Sequence, residues 1–465
     1  MKKQLPLYTN KQNYSDPTFL VAPSYSQMTA TAYIETYGCQ MNISDSELMA
    51  GILSNIGYQM VNNAEAADVI LINTCAIREN AEEKVFHRLK HLNSLKRRKP
   101  DIVLGVCGCM AQHLRQQIID AAPFVDIILG PDAYRSLPQA IQTVRSKDPF
   151  VGLKLDKSED YADLSPIRKD GVRAWLTIQR GCDKMCTFCV VPFTRGRERS
   201  IALSKLVDEC YQLVHEGFKE VVLLGQTVNS YHDGQNDFGD LLISLNEIDG
   251  LERIRFTSPH PSDASEPMIS AMANCEKVCQ QIHLPLQSGS TRILRTMKRT
   301  YTADEYRSLV NRMRKLMPNL AISTDIIVGF CGETEADFQK TYDMMAEIRY
   351  DSAFMFKYSD RDGTRAHRSL IDDVAEKVKV ERLQLIIDQQ YKISRQINQT
   401  YIGKVVEVMI EGESKKSSED FFGKTKSFKT TVFPRRNTRV GETVEVKIHT
   451  ATAQTLIGDI VSVNQ

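Results

Sequence analysis

Three cysteines, Cys182, Cys186 and Cys189, fall within eight residues of this chain in the spacing C-x3-C-x2-C. An apolar, strand-like run from Ala174 to Ile178 leads into them. Any fold of the chain must therefore bring three thiols onto one short loop at the end of a strand. Three thiolates there can hold three irons of a cubane cluster and leave the fourth iron without a protein ligand. An open metal position can bind a small molecule. Zinc is the first rival. Structural zinc takes four ligands, usually as C-x2-C pairs, and no such pair or H-x3-H follows nearby. A disulfide is the second rival, and an odd local count without secretory context argues against it.

At about 150 residues per domain, the 465 residues suggest roughly three domains. A hydrophobic content of 42% and a charged content of 25% are ordinary for a soluble globular chain. The net charge is +1, so a nucleic-acid partner would need a local basic patch. No apolar run approaches the ~20 residues that span a bilayer, so no membrane association is expected. The N-terminus is polar and lacks the apolar core of a signal peptide. Residues 1–31 read as a flexible leader whose Tyr8, Tyr14, Phe19 and Tyr25 could pack on the body. A cytoplasmic location follows, in which eleven cysteines are ligands or buried thiols rather than disulfides.

The first domain is expected over 32–148. Apolar runs at Ala32–Tyr37, Asp68–Asn73, Ile102–Val106 and Asp126–Leu129 alternate with helical patterns at Ser44–Ile56 and Ala81–Leu95. Asp45 and Ser46 with Glu47 read as a helix start. The alternation predicts a parallel, flavodoxin-like α/β sheet. Cys39, Cys75 and the pair Cys107 and Cys109 follow three successive strands, about one βα unit apart. Strand ends on one edge of such a sheet converge, and ligands bind there. A single cysteine would read as a small buried hydrophobe. Three in register point to a second metal site. Cys107, separated from Cys109 by one residue, reads as structural.

Residues 149–170 read as a charged linker. The second domain, 171–400, repeats strand patterns at Glu220–Gly225, Arg253–Thr257, Gln281–Leu286, Ala321–Val328 and Ser352–Lys357, with helices between them. This predicts a partial (β/α)6 barrel with its functional residues at the carboxyl ends of the strands. A third domain, 401–465, reads as short strands punctuated by glycine, a small β-barrel. Lys424, Lys426, Lys429, Arg435, Arg436 and Arg439 cluster there without an acidic neighbour, interleaved with Phe428 and Phe433. That is the pattern of a nucleic-acid backbone grip, with a charged strand edge as the bland alternative. Arg292, Arg295, Lys298 and Arg299 form a second basic run, either a solvated helix face or a phosphate contact.

The three-cysteine loop, with its continuation from Pro192 through Phe193, Thr194, Arg195, Gly196, Arg197, Glu198 and Arg199 to Ser200, resembles the radical S-adenosylmethionine (SAM) methylthiotransferases. The segments around Cys39, Cys75 and Cys109 resemble the N-terminal domain of that family, and the C-terminal region resembles the TRAM RNA-binding module. The resemblance covers residues 32–465. It implies a radical SAM 4Fe–4S cluster on Cys182, Cys186 and Cys189, and an auxiliary 4Fe–4S cluster on Cys39, Cys75 and Cys109. It also implies SAM as both methyl donor and radical source. Gly225 and Gln226 stand where many relatives carry a Gly-Gly-Glu that binds the SAM amino group. Ser258, Gln287, Gly329 and Gly332 lie in the other strand-end segments that match. The motifs favour members that act on a dimethylallyladenosine in a tRNA anticodon stem-loop. Relatives that act on threonylcarbamoyladenosine or on a ribosomal protein aspartate are the alternatives, and a non-catalytic iron–sulfur RNA-binding protein is another. A low-potential electron donor such as a flavodoxin or ferredoxin, and a monomeric state, are implied as well. The chain departs from the family pattern at Ile201-Ala202, where Arg-Pro is usual, and at Cys331, where proline is usual.

Overall fold

The computed structural model describes residues 30–75, 79–168 and 171–463. Most of the expected leader lies outside the described residues, as do Ala76, Ile77 and Arg78 beyond the second cysteine. Two compact units emerge. The first comprises the described part of the first 169 residues together with Arg180–Asp183 and Val190–Arg199, and the second comprises the rest.

The first unit is built on a parallel sheet of β1 (Thr31–Tyr37), β2 (Gln59–Met60), β3 (Val69–Thr74), β4 (Val103–Gly108), β5 (Ile127–Leu129) and β6 (Phe150–Gly152), in the order 2-1-3-4-5-6. Both faces are covered, so β3 and β4 are buried along their whole length. Val69, Leu71, Val103 and Cys107 face one core with Leu48, Met49 and Leu53 of α1 (Gln40–Asn55). Ile70, Ile72, Leu104 and Val106 face the other, with Val85, Leu89 and Leu92 of α2 (Glu79–Arg98). Each such aliphatic side chain contributes about 2 kcal/mol by leaving water.

Two expectations change here. The segment expected to be a linker begins as β6, which pairs with β5, and its Tyr161 is buried in the core beside Tyr134. The helix expected to start near Asp45 starts instead at Gln40, with Cys39 at its N-cap, and Asp45 lies fully buried within it.

The second unit carries the expected six barrel strands: β7 (Arg173–Thr177), β8 (Glu220–Leu224), β9 (Arg253–Phe256), β10 (Gln281–His283), β11 (Ala321–Val328) and β12 (Ser352–Lys357). They form two parallel three-stranded sheets, 7-8-9 and 10-11-12. The Ile254–Val278 bridge, with Cys279 N–H donating to Ile254 O at 3.0 Å, ties the second sheet to the first as an open arc. The helix Glu376–Gln399 leads out of it. A closed antiparallel barrel follows, of β13 (Val405–Ser414), β14 (Ser417–Thr425), β15 (Thr430–Pro434), β16 (Thr443–Ala451) and β17 (Thr455–Val463), with β15 and β17 paired in parallel. Val408, Ile410, Phe421, Phe433, Val444 and Val446 fill its core. No helix among the described residues is long and apolar enough to cross a membrane.

Candidate functional site

In the first unit three adjacent strands, β1, β3 and β4, each end at a candidate cysteine. Gly38, in a positive-φ conformation, turns the chain from β1 into Cys39. A Cβ there would lie 2.6 Å from the Cβ of Cys75, so the close approach of the two segments requires glycine. Gly108, also at positive φ, turns β4 into Cys109, the first residue of α3 (Cys109–His113). A Cβ there would lie 2.4 Å from Asn73 Oδ1 and 2.6 Å from Thr74 O. Beneath the cysteines Asn42 Nδ2 donates to Asn73 Oδ1 at 3.2 Å, and Asn73 Nδ2 donates to Asn42 O at 2.7 Å and Ser46 Oγ at 2.9 Å. These buried amide bonds fix the start of α1, which follows Cys39, against the end of β3.

The three thiols differ in chemistry. A hydrogen bond with Cys75, aided by the charge of Arg195, lowers the Cys39 thiol to about 6. Burial raises that of Cys109, and Arg195 opposes the rise. Cys107 points into the α1 core, and burial alone pushes its thiol up to about 12. It is a packing residue, as expected.

Sequence reading missed the charged groups that line this edge. Arg195 Nε donates to Cys109 Sγ at 3.1 Å, and its Nη2 donates to Asp45 Oδ2 at 2.8 Å. Arg180 Nη2 lies 3.0 Å from Asp45 Oδ1, and its guanidinium sits 4.6 Å from the Tyr161 ring centroid. Tyr134 Oη donates to Asp45 Oδ2 at 3.3 Å. Both arginine side chains are only 4% exposed. Arg195 belongs to the segment that carries the family motif, but its partner Asp45 lies 150 positions earlier and leaves no local signal.

On the three-cysteine loop, Cys182 N–H donates to Gly196 O at 3.1 Å, and Cys189 N–H closes a tight turn on Cys186 O at 3.1 Å. Cys182 falls in the first unit, and Cys186 and Cys189 in the second. Arg299 Nη1 donates to Cys186 Sγ at 3.4 Å, which gives this member of the basic run a role at the loop. Among the described residues, no group of three or more His, Cys, Asp or Glu side chains is already arranged to hold a metal ion.

Within the second unit the strand ends present orphaned acceptors. The Oε1 atoms of Gln179, Gln226 and Gln287 are buried without a hydrogen-bond partner. Gln179 follows β7, Gln226 follows β8 through Gly225, and Gln287 follows β10. Unpaired buried carbonyl oxygens are costly, and a bound ammonium or amide donor would satisfy them. Ser258, at the end of β9, is exposed at positive φ. Gly332 is open on its Cβ side, with Arg292 Nη1 nearest at 3.8 Å, and its N–H donates to Asp373 Oδ1 at 2.6 Å. Gly329 is crowded on its Cβ side, where a Cβ would fall 2.4 Å from Lys379 Cγ, and its N–H donates to Glu333 Oε1 at 2.8 Å.

The basic cluster of the small barrel also divides. Lys429 is buried and paired with Asp351 at 2.6 Å, so it is unavailable to a phosphate. Lys424 Nζ donates to Thr430 Oγ1 at 2.6 Å and lies 4.5 Å from the Phe428 ring centroid. The carbonyls of Lys424, Thr425 and Lys426 accept from Arg253 and Arg255 of β9 at 2.7–3.0 Å. Phe433 is core. The turn 424–429 is thus mainly a seam between the two barrels. Arg435, Arg436 and Arg439 are exposed at the other end of β15.

With this geometry described, comparison with known proteins is informative. Residues 31–130 match the family described as Uncharacterized protein family UPF0004, 176–345 the Radical SAM superfamily, and 399–461 the TRAM domain. A tRNA-2-methylthio-N(6)-dimethylallyladenosine synthase from Chloroherpeton thalassium is 46% identical over 92% of this chain and 96% of its own. Proteins of the same name from Porphyromonas gingivalis (44%, over 92% and 94%) and Christiangramia forsetii (45%, over 95% and 96%) are comparable. Among solved structures, the radical SAM methyltransferase TsrM from Kitasatospora setae, with cobalamin and a 4Fe–4S cluster bound, matches at TM-score 0.55 and 12% identity. That match covers 73% of this chain and 74% of that one. The cobalamin-dependent radical enzyme OxsB matches at 0.51 and 12%, over 79% and 56%. These distant structures support the fold alone.

Proposed function

The chain belongs to the family of tRNA-2-methylthio-N(6)-dimethylallyladenosine synthases, and on that premise we propose that it is a radical SAM tRNA methylthiotransferase. Its substrate is the dimethylallyladenosine on the 3′ side of the anticodon, and its product is the 2-methylthio derivative. The observation that carries the reading is the pair of cysteine triads: one at three adjacent strand ends of the first sheet, the other on the loop after β7. Cys39, Cys75 and Cys109 would hold one 4Fe–4S cluster, and Cys182, Cys186 and Cys189 the other. When bound, these clusters supply the electron that cleaves SAM to a 5′-deoxyadenosyl radical and a platform for the sulfur to be inserted.

The residues present suit such groups. Buried guanidinium N–H groups of Arg180 and Arg195 lack partners beside the first triad, which favours an anionic occupant. The orphaned carbonyls of Gln179, Gln226 and Gln287 suit the ammonium of SAM, with Gly225 close against Gln179 Oε1, and Ser258 and Gly332 are further candidates for contacts to SAM. Adenine C2–H is not acidic, so no side-chain base can activate it. The residues' work is to bind, orient and exclude water. Lys426, Arg435, Arg436 and Arg439 would grip the tRNA backbone. We propose a first domain that runs from 32 through β6 and Tyr161, followed by 171–400 and 401–465, in a monomeric cytoplasmic protein with a flavodoxin- or ferredoxin-like electron donor. Anaerobic reconstitution with SAM and tRNA, followed by nucleoside mass spectrometry, tests the reading. The 2-methylthio nucleoside is expected. A product on threonylcarbamoyladenosine, or none, overturns it.

A further inference from the structure

Two guanidinium groups and one carboxylate are sealed together in the first unit. Arg180 and Arg195 share Asp45, whose side chain is 0% exposed. One positive charge is left without a carboxylate in a dry setting, where uncompensated charge is costly. Three of their N–H-bearing atoms, Arg180 Nε, Arg180 Nη1 and Arg195 Nη1, have no acceptor. The neighbouring Arg199 is neutralised separately, by Asp132 at 2.8 Å. Counting these five groups, one positive charge remains, centred on Arg180 and Arg195. The one sulfur either guanidinium is seen to reach is Cys109 Sγ, at 3.1 Å from Arg195 Nε.

A sealed positive charge with idle donors, beside a thiol at a strand end, is built to meet a negative partner. Hydrogen bonds to thiolate sulfur and nearby positive charge both stabilise the more negative, reduced state of an iron–sulfur cluster and raise its potential. We propose that Arg195 and Arg180, braced on opposite oxygens of Asp45, are positioning residues that set the reduction potential of the cluster held by Cys39, Cys75 and Cys109. Arg195 acts through the Cys109 sulfur and Arg180 through its charge. The proposal rests on the assignment of that triad as cluster ligands.

The test uses the full chain with Cys182, Cys186 and Cys189 replaced by alanine, so that only the first triad can load. Iron content is measured first, and a background that binds no iron defeats the assignment of the triad itself. In the loaded background a redox titration followed by electron paramagnetic resonance gives the potential. Arg195→Gln should lower it enough to change the oxidised-to-reduced ratio at fixed potential at least tenfold, about 59 mV for a one-electron couple. Arg180→Gln should lower it without removing the Arg195–Cys109 bond, and Arg195→Lys should restore part of the loss. Unchanged potentials in the variants that load iron overturn the proposal. If only Arg195→Lys loads, a potential equal to that of the background overturns it and a lowered one supports it. Failure of all three to load iron assigns the pair to folding and overturns it equally.

Discussion

Cys107 and Cys109 stand two positions apart, and the turn at Gly108, where β4 ends at positive φ and α3 begins, gives them opposite fates. Cys107 faces the α1 core as a small hydrophobe, whereas Cys109 opens α3 beside Arg195. Cys107→Ala should leave about eight irons on the reconstituted chain and cost about 1 kcal/mol in thermal unfolding. Cys109→Ala should leave about four, because one cluster loses a ligand. Cys39 makes a separate prediction in the chelator-treated chain. Its folded thiol, at about 6, lies below the ordinary 9.0, so it is a thiolate above that pH. The stabilisation from its partners is present above the ordinary value and is lost as pH falls through the folded one. Alkylation of Cys39, followed by peptide mass spectrometry, should rise with a midpoint near pH 6, while Cys107 stays unreactive across that range. A Cys39 midpoint near 9 would contradict the assigned contact with Cys75. The six ligand candidates were legible because the chemistry needs thiols at fixed spacing. Asp45 was not, since its two arginine partners lie more than a hundred positions away and its local setting mimics a helix start.

Elements with a strong apolar pattern were read from sequence nearly to the residue. The strands Ala321–Val328 and Ser352–Lys357 stand as expected. β14 carries little sequence signal, because Ser417, Ser418, Glu419 and Asp420 precede its only apolar pair, Phe421 and Phe422. Its early residues pair by backbone at a barrel surface, which composition does not reveal. The basic turn after it shows the opposite failure. Its charge suggested RNA, but Lys429 is drawn inward by Asp351. Lys429→Ala should lower unfolding stability by ~3 kcal/mol, because Asp351 would be left with its charge half-buried. Lys429→Met with Asp351→Leu should regain most of that, and neither change should alter tRNA affinity of the folded protein. A loss of affinity with unchanged stability would return Lys429 to the RNA-binding set. At the loop after β4, Gly108→Ala should destabilise by about 2 kcal/mol through its positive φ and the 2.4 Å approach to Asn73, and should displace Cys109. Iron content should then fall toward that of Cys109→Ala.

At the scale of the whole molecule the net charge is +1, so a polyanionic substrate must be held by a few local cations. The turn 424–429 is largely engaged with Arg253, Arg255 and Asp351, which leaves Arg435, Arg436 and Arg439 at the exposed end of β15 as the main candidates. Arg435 is partly offset by Glu413 at 3.1 Å, an exposed pair that phosphate can outcompete. Such contacts would position the tRNA without reading its sequence, and the proposed function then assigns discrimination to the strand-end mouth of the larger barrel, where the substrate base would be splayed out. The two properties should therefore separate. Replacing all three arginines by glutamine should weaken tRNA binding and flatten the dependence of log affinity on log salt by up to about three units, one per lost phosphate contact. SAM cleavage in the absence of RNA should be unaffected. An anticodon stem-loop bearing plain adenosine should bind the unaltered chain with the same salt slope as the dimethylallylated one, yet yield far less product. Binding and slope that survive the triple replacement would move the RNA grip elsewhere on the chain. Equal product from the two stem-loops would show that the mouth does not recognise the dimethylallyl group.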